Sequence, residues 1–277
     1  GGTFTGNKAT IGGGVIKSAT SAVVDITNAT MTGNNGGNGG AISAWNSTVT
    51  LTDVNIADNT ANYGSELYFV GGTTATISGA SEITNTTTNR VGTVYIEQGT
   101  LNITGGHIKG TYALFTCRNG SATVENYNSV KRTIVNISGG KIEGITYGAY
   151  GWSYLPVEYN FSGSPEIING IWIKSAYTTD RETFTAPINV VGELSPVSPI
   201  QVMISTYHYG DVTNYQDFTN KDTPIVTYAE GLTVDNDFIA FENSYTFVKG
   251  ADLSLDEQSV YVRGLYKLSL KAGDGIE

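Results

Sequence analysis

A short motif recurs along the first two thirds of the chain, and its spacing constrains the fold more than any other feature. The nonapeptide NITGGHIKG at 102–110 returns as NISGGKIEG at 136–144. Related segments, each with a central apolar residue between polar ones, are VDITNATM (24–31), TLTDVNI (50–56), TISGASEI (76–83), NFSGSPEI (160–167) and the weaker NVVGEL (189–194). The central residues Ile26, Leu51, Ile77, Ile103, Ile137 and Phe161 follow one another at intervals of 25, 26, 26, 34 and 24 residues. A period near 25 with alternating polarity is typical of one coil of a β-solenoid.

The positions that follow the central residue predict a bend and then a second strand. Two residues after it stands Asn, Asp or Gly, the residue types that tolerate a positive φ. We therefore predict bends at Asn28, Asp53, Gly79, Gly105, Gly139, Gly163 and Gly192. An apolar residue then begins the next strand: Met31, Ile56, Ile83, Ile108, Ile142 and Ile167.

A third strand per repeat is indicated by glycine-rich turns that lead into apolar segments. These are GGGVI (12–16), GGAI (39–42), GTVYI (92–96) and GIWI (170–173). Three strands per repeat, stacked aliphatic residues and no helical periodicity predict an all-β fold, a right-handed parallel β-helix of about 25 residues per coil.

Composition narrows the classes of function. Only 14% of the residues are charged and 35 are Gly, which favours a turn-rich β protein over a helical one. The net charge of −10 argues against a nucleic-acid partner. The single cysteine, Cys117, excludes an internal disulfide and a cysteine metal cluster. No apolar run approaches the ~20 residues that cross a bilayer, so we expect no membrane insertion in this segment.

Two motifs resemble repeats of known surface proteins. FTGN (4–7) and GGAI (39–42) resemble the paired FxxN and GGAI repeats of chlamydial-type polymorphic outer-membrane proteins, and MTGN (31–34) and IADN (56–59) are degenerate copies. ISGGKIEG (137–144) resembles right-handed β-helix repeats in large surface proteins of Gram-positive gut bacteria. The resemblance covers residues 1–195. It implies an extracellular, cell-surface location and adhesion to a host or community glycan or surface protein, and it transfers no catalytic residue.

The regularity of the repeat suggests three parts of the chain. We predict a regular parallel β-helix at 1–195, then irregular coils or a β cap at 196–264, with strands at 199–204, 224–234, 237–242 and 246–264. A separate small β-domain at 196–264 is the alternative. The segment 265–277 is predicted to be a linker or the start of a following domain, since YKLSLKAGDG (266–275) is similar to small β-repeats in cell-wall-anchored proteins. The chain begins within a repeat, so we expect it to belong to a longer protein.

Insertions at one turn of the repeat are the predicted place for a binding site. They span 117–132, 147–158 and 175–186, and stacking of coils would bring them to one edge. Aromatic side chains suit a sugar ring or a protein partner. The candidate ligand-binding residues are Tyr147, Tyr150, Trp152, Tyr154 and Tyr159, with Tyr207, Tyr209 and Tyr215 from a later segment. The alternative is that these rings only shield the flank of the helix.

An enzyme is the alternative function, because polysaccharide lyases and glycoside hydrolases of pectate-lyase-like fold use such helices. Hydrolases need clustered carboxylates as acid and base, and the sequence has no Asp-Asp pair, Gly-His-Gly or Arg-Xaa-Lys segment. We predict no catalytic residue, and His107, which aligns with Lys141, is predicted to be a solvated turn residue. No cofactor is expected, with calcium on Asp211, Asp217 and Asp222 as the alternative.

The prediction from sequence is therefore a non-catalytic, monomeric module of a bacterial surface protein that acts as an adhesin or stalk.

Overall fold

The protein is all-β and is built around a large parallel sheet. A computed structural model describes residues 1–85, 92–117, 132–152, 157–174, 187–205, 224–241 and 245–264. Regular structure in these ranges consists of 24 strands and one 3-10 turn, Gly250–Leu253. The strands form a curled sheet of 14 strands and a second sheet of 10. The predicted all-β class with parallel strand pairing is confirmed.

The strands fall into three stacks, in which each strand pairs with the equivalent strand of the next repeat; one level of a stack is called a rung. The first stack contains β1 (Gly2–Thr5), β4 (Ala29–Thr32), β7 (Asn55–Ala57), β10 (Glu82–Thr84) and β17 (Glu166–Ile168). The second contains β2 (Ile16–Ala19), β5 (Ile42–Trp45), β8 (Leu67–Val70), β11 (Val94–Glu97), β18 (Ile171–Lys174), β20 (Ile200–Ser205) and β22 (Phe238–Ala240).

The third stack is the smaller sheet. It contains β3 (Val23–Thr27), β6 (Thr48–Thr52), β9 (Thr74–Ser78), β12 (Thr100–Ile103), β14 (Ile134–Ile137), β16 (Glu158–Gly163), β19 (Ile188–Leu194), β21 (Val226–Tyr228), β23 (Tyr245–Lys249) and β24 (Ser259–Gly264). Two long strands, β13 (His107–Cys117) and β15 (Lys141–Trp152), run through both the first and the second stack and join them into the larger sheet.

The core consists of columns of apolar side chains from successive rungs. The predicted central residues pair in register from Ile26 to Phe161, and the column continues to Val190. From Leu51 onward these side chains are at most 2% exposed. The predicted second column, from Met31 to Ile167, also pairs in register. Both inward columns of the prediction are confirmed.

Most of the bends lie at the predicted Asn, Asp and Gly positions, and in two repeats the bend lies one residue later. Positive φ angles occur as predicted at Asn28, Asp53, Gly79 and Gly163. In these two repeats two glycines follow each other, and the second one adopts the left-handed conformation. The bends therefore lie at Gly106 and Gly140 and not at Gly105 and Gly139. Gly192 lies within β19 and does not mark a bend. Adjacent glycines leave the position of the bend open, and the main-chain geometry selects one of them.

The GGAI segment brings the main chains of two neighbouring rungs into close contact. A Cβ at Gly40 would lie 2.2 Å from the carbonyl oxygen of Ser65 in the next rung, so only glycine fits there. The two residues that follow, Ala41 and Ile42, are fully buried. The strands predicted after the glycine-rich turns are confirmed as β2, β5, β11 and β18. The equivalent strand β8 follows Gly64-Ser-Glu and was not predicted.

Residues after 195 extend both sheets. β20 pairs with β18, β21 with β19 and β22 with β20, all parallel. β24 is antiparallel to both β21 and β23 and completes the third stack. One predicted insertion needs correction: 147–152 belongs to β15, because the chain passes from the first stack to the second without a turn. Residues 118–131, 153–156 and 175–186 of the predicted insertions, and the segment 265–277, lie outside the described residues.

Candidate functional site

A column of aromatic side chains runs along the outer surface of the second stack. In β8, Leu67 and Phe69 point into the core, so Tyr68 between them points outward. The residues in register with Tyr68 in the next four rungs are also aromatic. The column consists of Tyr68, Tyr95, Phe115, Tyr150 and Trp172. Regular pairing of parallel strands therefore places five rings in one row.

The rings of this column stack on one another. Successive centroids are 5.0, 5.5, 5.3 and 4.4 Å apart, and the planes are inclined by 21°, 12°, 44° and 9°. These separations match favourable ring pairing. The flat faces of the three inner rings are therefore occupied by neighbouring rings. Tyr95 is only 6% exposed, and the other four side chains of the column are partly buried.

Three further tyrosines widen the column. Tyr63, which is 48% exposed, has its ring 5.6 Å from that of Tyr95 in an edge-to-face arrangement. Tyr112 lies 4.7 Å from Tyr150, and Tyr147 lies 5.8 Å from the same ring. We call these three residues and the five of the column the aromatic face. Trp45, at the end of β5, is 64% exposed. It is the next outward position after Ser43, which pairs with Tyr68, so Trp45 lies at the border of the aromatic face and is counted with it.

The phenol groups of Tyr68, Tyr95 and Tyr150 are held in the neutral form by their surroundings. Desolvation, with smaller contributions from the neighbouring Tyr112 and Tyr147, raises the pKa of Tyr150 to about 12. Desolvation likewise raises the pKa values of Tyr68 and Tyr95. The Tyr95 hydroxyl donates to Glu97 Oε2 at 2.8 Å. The hydroxyls therefore act as hydrogen-bonding groups and carry no charge.

The predicted ligand-binding residues separate into three groups. Tyr147 and Tyr150 belong to the aromatic face. The prediction that Tyr159 binds a ligand is wrong. Its side chain is 1% exposed, packs in the core and has its hydroxyl 2.7 Å from Thr116 Oγ1, so it cannot touch a ligand at the surface. The main chain of Trp152 pairs with Cys117 at the end of β15. Lying outside the described residues are Tyr154, Tyr207, Tyr209, Tyr215, Asp211, Asp217 and Asp222.

A second unusual cluster is a buried row of asparagines that ends at a glutamate. Asn7 donates from its main-chain N–H and from Nδ2 to Asn34 Oδ1, both at 2.9 Å. Asn34 donates in the same way to Asn59 Oδ1, at 2.7 and 2.8 Å. Asn59 then donates to the carboxylate of Glu66, as does Asn85. We call Asn7, Asn34 and Asn59 the inner ladder; they are the last residues of the FTGN, MTGN and IADN segments.

Glu66 is fully buried and faces amide groups without a cation among its described partners. It stands where Ala41 stands one rung earlier, since Leu67 pairs with Ile42. Desolvation raises the pKa of Glu66 from its usual 4.5 to about 7, although the hydrogen bonds from Asn59 and Asn85 favour the charged form. The carboxyl group therefore changes charge near neutral pH inside the core.

Charged side chains form a network on the outer surface of the first stack. His107 is the first residue of β13 and not a turn residue as predicted. Its ring nitrogens lie 3.2 Å from Glu82 and 3.1 Å from Glu143. Lys109 lies 2.7 Å from Glu143, and Lys141 lies 3.4 Å from it. Hydrogen bonding to Lys109 lowers the pKa of Glu143. The position shared by His107 and Lys141 thus contacts carboxylates of neighbouring rungs in both repeats.

The described residues contain no group of three or more His, Cys, Asp or Glu side chains arranged as metal ligands. Within the same ranges, no helix has the length and hydropathy of a membrane span. The chain matches no protein-family model, and no curated protein or solved structure is significantly similar to it.

Most residues of the aromatic face, and the buried Glu66, were not among the residues predicted from the sequence. Tyr68, Tyr95 and Trp172 each lie in the middle of an apolar strand segment, LYF, VYI and IWI, which would have revealed them once these segments were aligned. Phe115 was hidden because β13 has no turn before its second half. Glu66 is a polar residue in the alignment column of Ala41, and that contrast was the available signal.

Proposed function

We propose that the chain is a right-handed parallel β-helix with three strands per coil, which serves as a rigid, non-catalytic module at a bacterial cell surface and binds a partner protein through the aromatic face. The observation that carries the proposal is the row of five stacked rings on the outside of the second stack.

Three stacks with in-register parallel pairing support the β-helix. A chain that visits three stacks in order and returns to the first after about 25 residues forms one coil per repeat. Crossover connections between parallel strands are right-handed in nearly all cases, which supports the right hand.

The geometry of the rings favours a protein partner over a glycan. A sugar ring stacks on the flat face of an aromatic ring, but the inner rings of the column face one another at 4.4 to 5.5 Å. The partly exposed side chains of the aromatic face combine apolar carbons with hydroxyl groups, which matches the mixed character of protein interfaces, where Tyr and Trp dominate the binding energy. Because the rings are fixed by stacking, little side-chain entropy is lost on binding.

The surface location and adhesive role rest on the resemblance to bacterial surface repeats and on composition. The low charge density, the single cysteine and the abundance of Thr, Asn and Gly fit such proteins. A scaffold of stacked coils is suited to present one long side to a partner, since each coil adds a further ring to the row.

The test is a binding screen of the purified chain against panels of extracellular host proteins and of glycans. We expect saturable binding to a protein, weakened at least tenfold by the double substitution Trp45→Ala, Tyr63→Ala. Both side chains are largely exposed, so their removal leaves the core intact. The matched control is Val23→Ala in the third stack, 70% exposed, which is expected to bind normally.

Three results would contradict the proposal. One is protein binding that the double variant retains in full. Another is binding to glycans alone. The third is release of reducing ends or unsaturated products from polysaccharides, which would support a carbohydrate-active enzyme.

A further inference from the structure

The column of the aromatic face continues beyond Trp172 through two further rungs. Trp172 pairs in register with Met203 of β20, which follows the buried Val202 and therefore points outward. Phe241 directly follows β22, and its main-chain N–H donates to the Val202 carbonyl oxygen at 3.0 Å, which places it one rung beyond Met203. The outward row therefore has seven members, from Tyr68 to Phe241.

The members at every second rung of this row are all accessible. Tyr68, Phe115 and Trp172 are partly exposed, and Phe241 is 42% exposed. Tyr95, between the first two of them, is only 6% exposed. A partner that contacts every second rung therefore meets an accessible side chain each time, whereas a partner that contacts every rung also meets the covered Tyr95.

The spacing of the row selects the backbone conformation of a partner that lies along it. Neighbouring parallel strands lie about 4.8 Å apart, so every second rung recurs after about 9.6 Å. A polyproline II helix has about three residues per turn and a rise of about 3.1 Å per residue, so one of its faces recurs after about 9.3 Å. Because the two repeats differ by only about 0.3 Å, contact is kept over the whole row.

The other regular conformations lose register with the row. Side chains on one face of a β-strand recur after about 6.7 Å, which matches neither one rung nor two. The turns of an α-helix recur after about 5.4 Å, so a helix shifts by about 0.6 Å per rung and by about 3.6 Å along the row. Polyproline II is therefore the regular conformation that the row fits.

The polar groups of the aromatic face also suit such a segment. Proline has no N–H, and the carbonyl groups of polyproline II are exposed, so a surface that binds it has to supply donors. Among the described residues, the hydroxyls of Tyr63, Tyr68 and Tyr112 make no hydrogen bond and can donate to these carbonyls. The carboxylate of Glu97 lies beside the row, where it accepts from the Tyr95 hydroxyl at 2.8 Å, and the chain has a net charge of −10. Positive charge next to the prolines complements this surface.

We propose that the partner of the aromatic face is a proline-rich segment in the polyproline II conformation, which lies along the row from Tyr68 to Phe241, places one proline at every second rung and carries Lys or Arg beside its prolines. The row spans about 29 Å, so about nine residues fill it. Such a segment is already extended before it binds, so little conformational entropy is lost. The inference rests on the proposed function and adds to it the class of partner.

The test measures the binding of synthetic peptides to the intact chain by isothermal titration calorimetry. The probes are oligoprolines of three, six, nine and twelve residues, which span one to four turns, each with two lysines at one terminus. Two control peptides match the nine-residue probe in length and charge. One is an alanine-rich, helix-forming peptide, and the other is a flexible glycine-serine peptide.

We expect the dissociation constant to fall at least tenfold from the three-residue to the nine-residue oligoproline. It should change less than twofold from nine to twelve residues, because the row is then filled. Both control peptides should bind at least tenfold more weakly than the nine-residue probe. Phe241→Ala removes the last contact and should weaken binding of this probe at least threefold, whereas Val191→Ala, at a 56% exposed position of the third stack, should leave it unchanged.

Binding that does not depend on oligoproline length, equal binding of the control peptides, or full binding by Phe241→Ala would each overturn the inference. So would the absence of oligoproline binding in a chain that still binds an extracellular protein through Trp45 and Tyr63. In that case the proposed function would stand, and only the class of partner would be wrong. Absence of both kinds of binding would overturn the proposed function as well.

Discussion

Two rows of asparagines run along this molecule, and they differ in surroundings and in direction. The inner ladder is buried from Asn34 onward, and its side chains bond to main-chain groups as well as to one another. Its amides donate toward later rungs and end on Glu66.

The second row, which we call the outer ladder, lies half-exposed on the third stack and runs the other way. Thr227 donates to Asn189, and each asparagine then donates to the one in the preceding rung, ending on Thr76. Its members are Asn102, Asn136, Asn160 and Asn189. The distances, 2.8 to 3.3 Å, resemble those of the inner ladder. Equal geometry does not mean equal stabilisation, because water can replace a lost partner only in the outer ladder.

Breaking the inner ladder is expected to have the largest effect. Asn59→Ala removes the acceptor of two Asn34 donors and the donor to the Met31 carbonyl, all of them buried. Each unsatisfied buried group costs about 1–3 kcal/mol, so we expect a loss of about 4 kcal/mol in the free energy of unfolding. Urea denaturation followed by circular dichroism measures it. A loss below about 1 kcal/mol would show that the buried amides find other partners.

Glu66, on which the inner ladder ends, is expected to make the free energy of unfolding depend on pH. The pKa of Glu66 is raised to about 7 in the folded protein, so the folded state binds the proton more tightly than the unfolded chain. The stabilisation is fully present below pH 4.5 and is lost as the pH rises through about 7, a change of about 3 kcal/mol at 1.4 kcal/mol per pKa unit.

The variant Glu66→Gln isolates this contribution. Other groups also titrate, such as Glu143 with its lowered pKa and Asp237 with its raised pKa, but they are common to both proteins. We expect the difference in unfolding free energy between the two proteins to change by about 3 kcal/mol between pH 4 and pH 8, in the direction that favours the glutamate protein at low pH. A constant difference would mean that the pKa of Glu66 is the same in the folded and the unfolded chain.

The outer ladder should be less sensitive. Asn136→Ala removes the bonds to Asn102 and Asn160 on a half-exposed surface, and we expect a loss of about 1 kcal/mol because solvent replaces the partners. The same urea denaturation applies. A loss as large as that of Asn59→Ala would remove the distinction between the two ladders.

The smallest effect is expected in the charged network of the first stack. His107→Lys introduces the residue that the next repeat has at Lys141, in register with it. Exposed ion pairs contribute about 0–1 kcal/mol, so we expect a change within about 0.5 kcal/mol at neutral pH, decreasing further in 1 M NaCl. A large change would indicate that the His107 ring is needed for packing.

The sequence predicts the inward columns well because the same position of each repeat is buried. Ile26 to Phe161 could be aligned from a single motif, since each position is apolar for the same reason. Apart from Gly192, the bends were predictable to within one residue, as Gly105 and Gly106 show, because either glycine can adopt a positive φ.

The candidate site was less predictable because it depends on register between distant residues. The cluster from Tyr147 to Tyr159 suggested a loop, but Tyr150 lies in a strand and Tyr159 in the core. Its neighbours Phe115 and Trp172 are 35 and 22 residues away and become adjacent only when β13 and β15 cross from one stack to the next. Local composition carries no information about that crossing.

The two strands that cross without a turn have a consequence for local unfolding. In the early repeats the first and second stacks are separate strands, so one can open while the other stays paired. Through β13 and β15 they share an uninterrupted backbone with nine paired positions. Opening one stack there disturbs the other, so the middle of the molecule should behave as one cooperative unit and exchange its amides last.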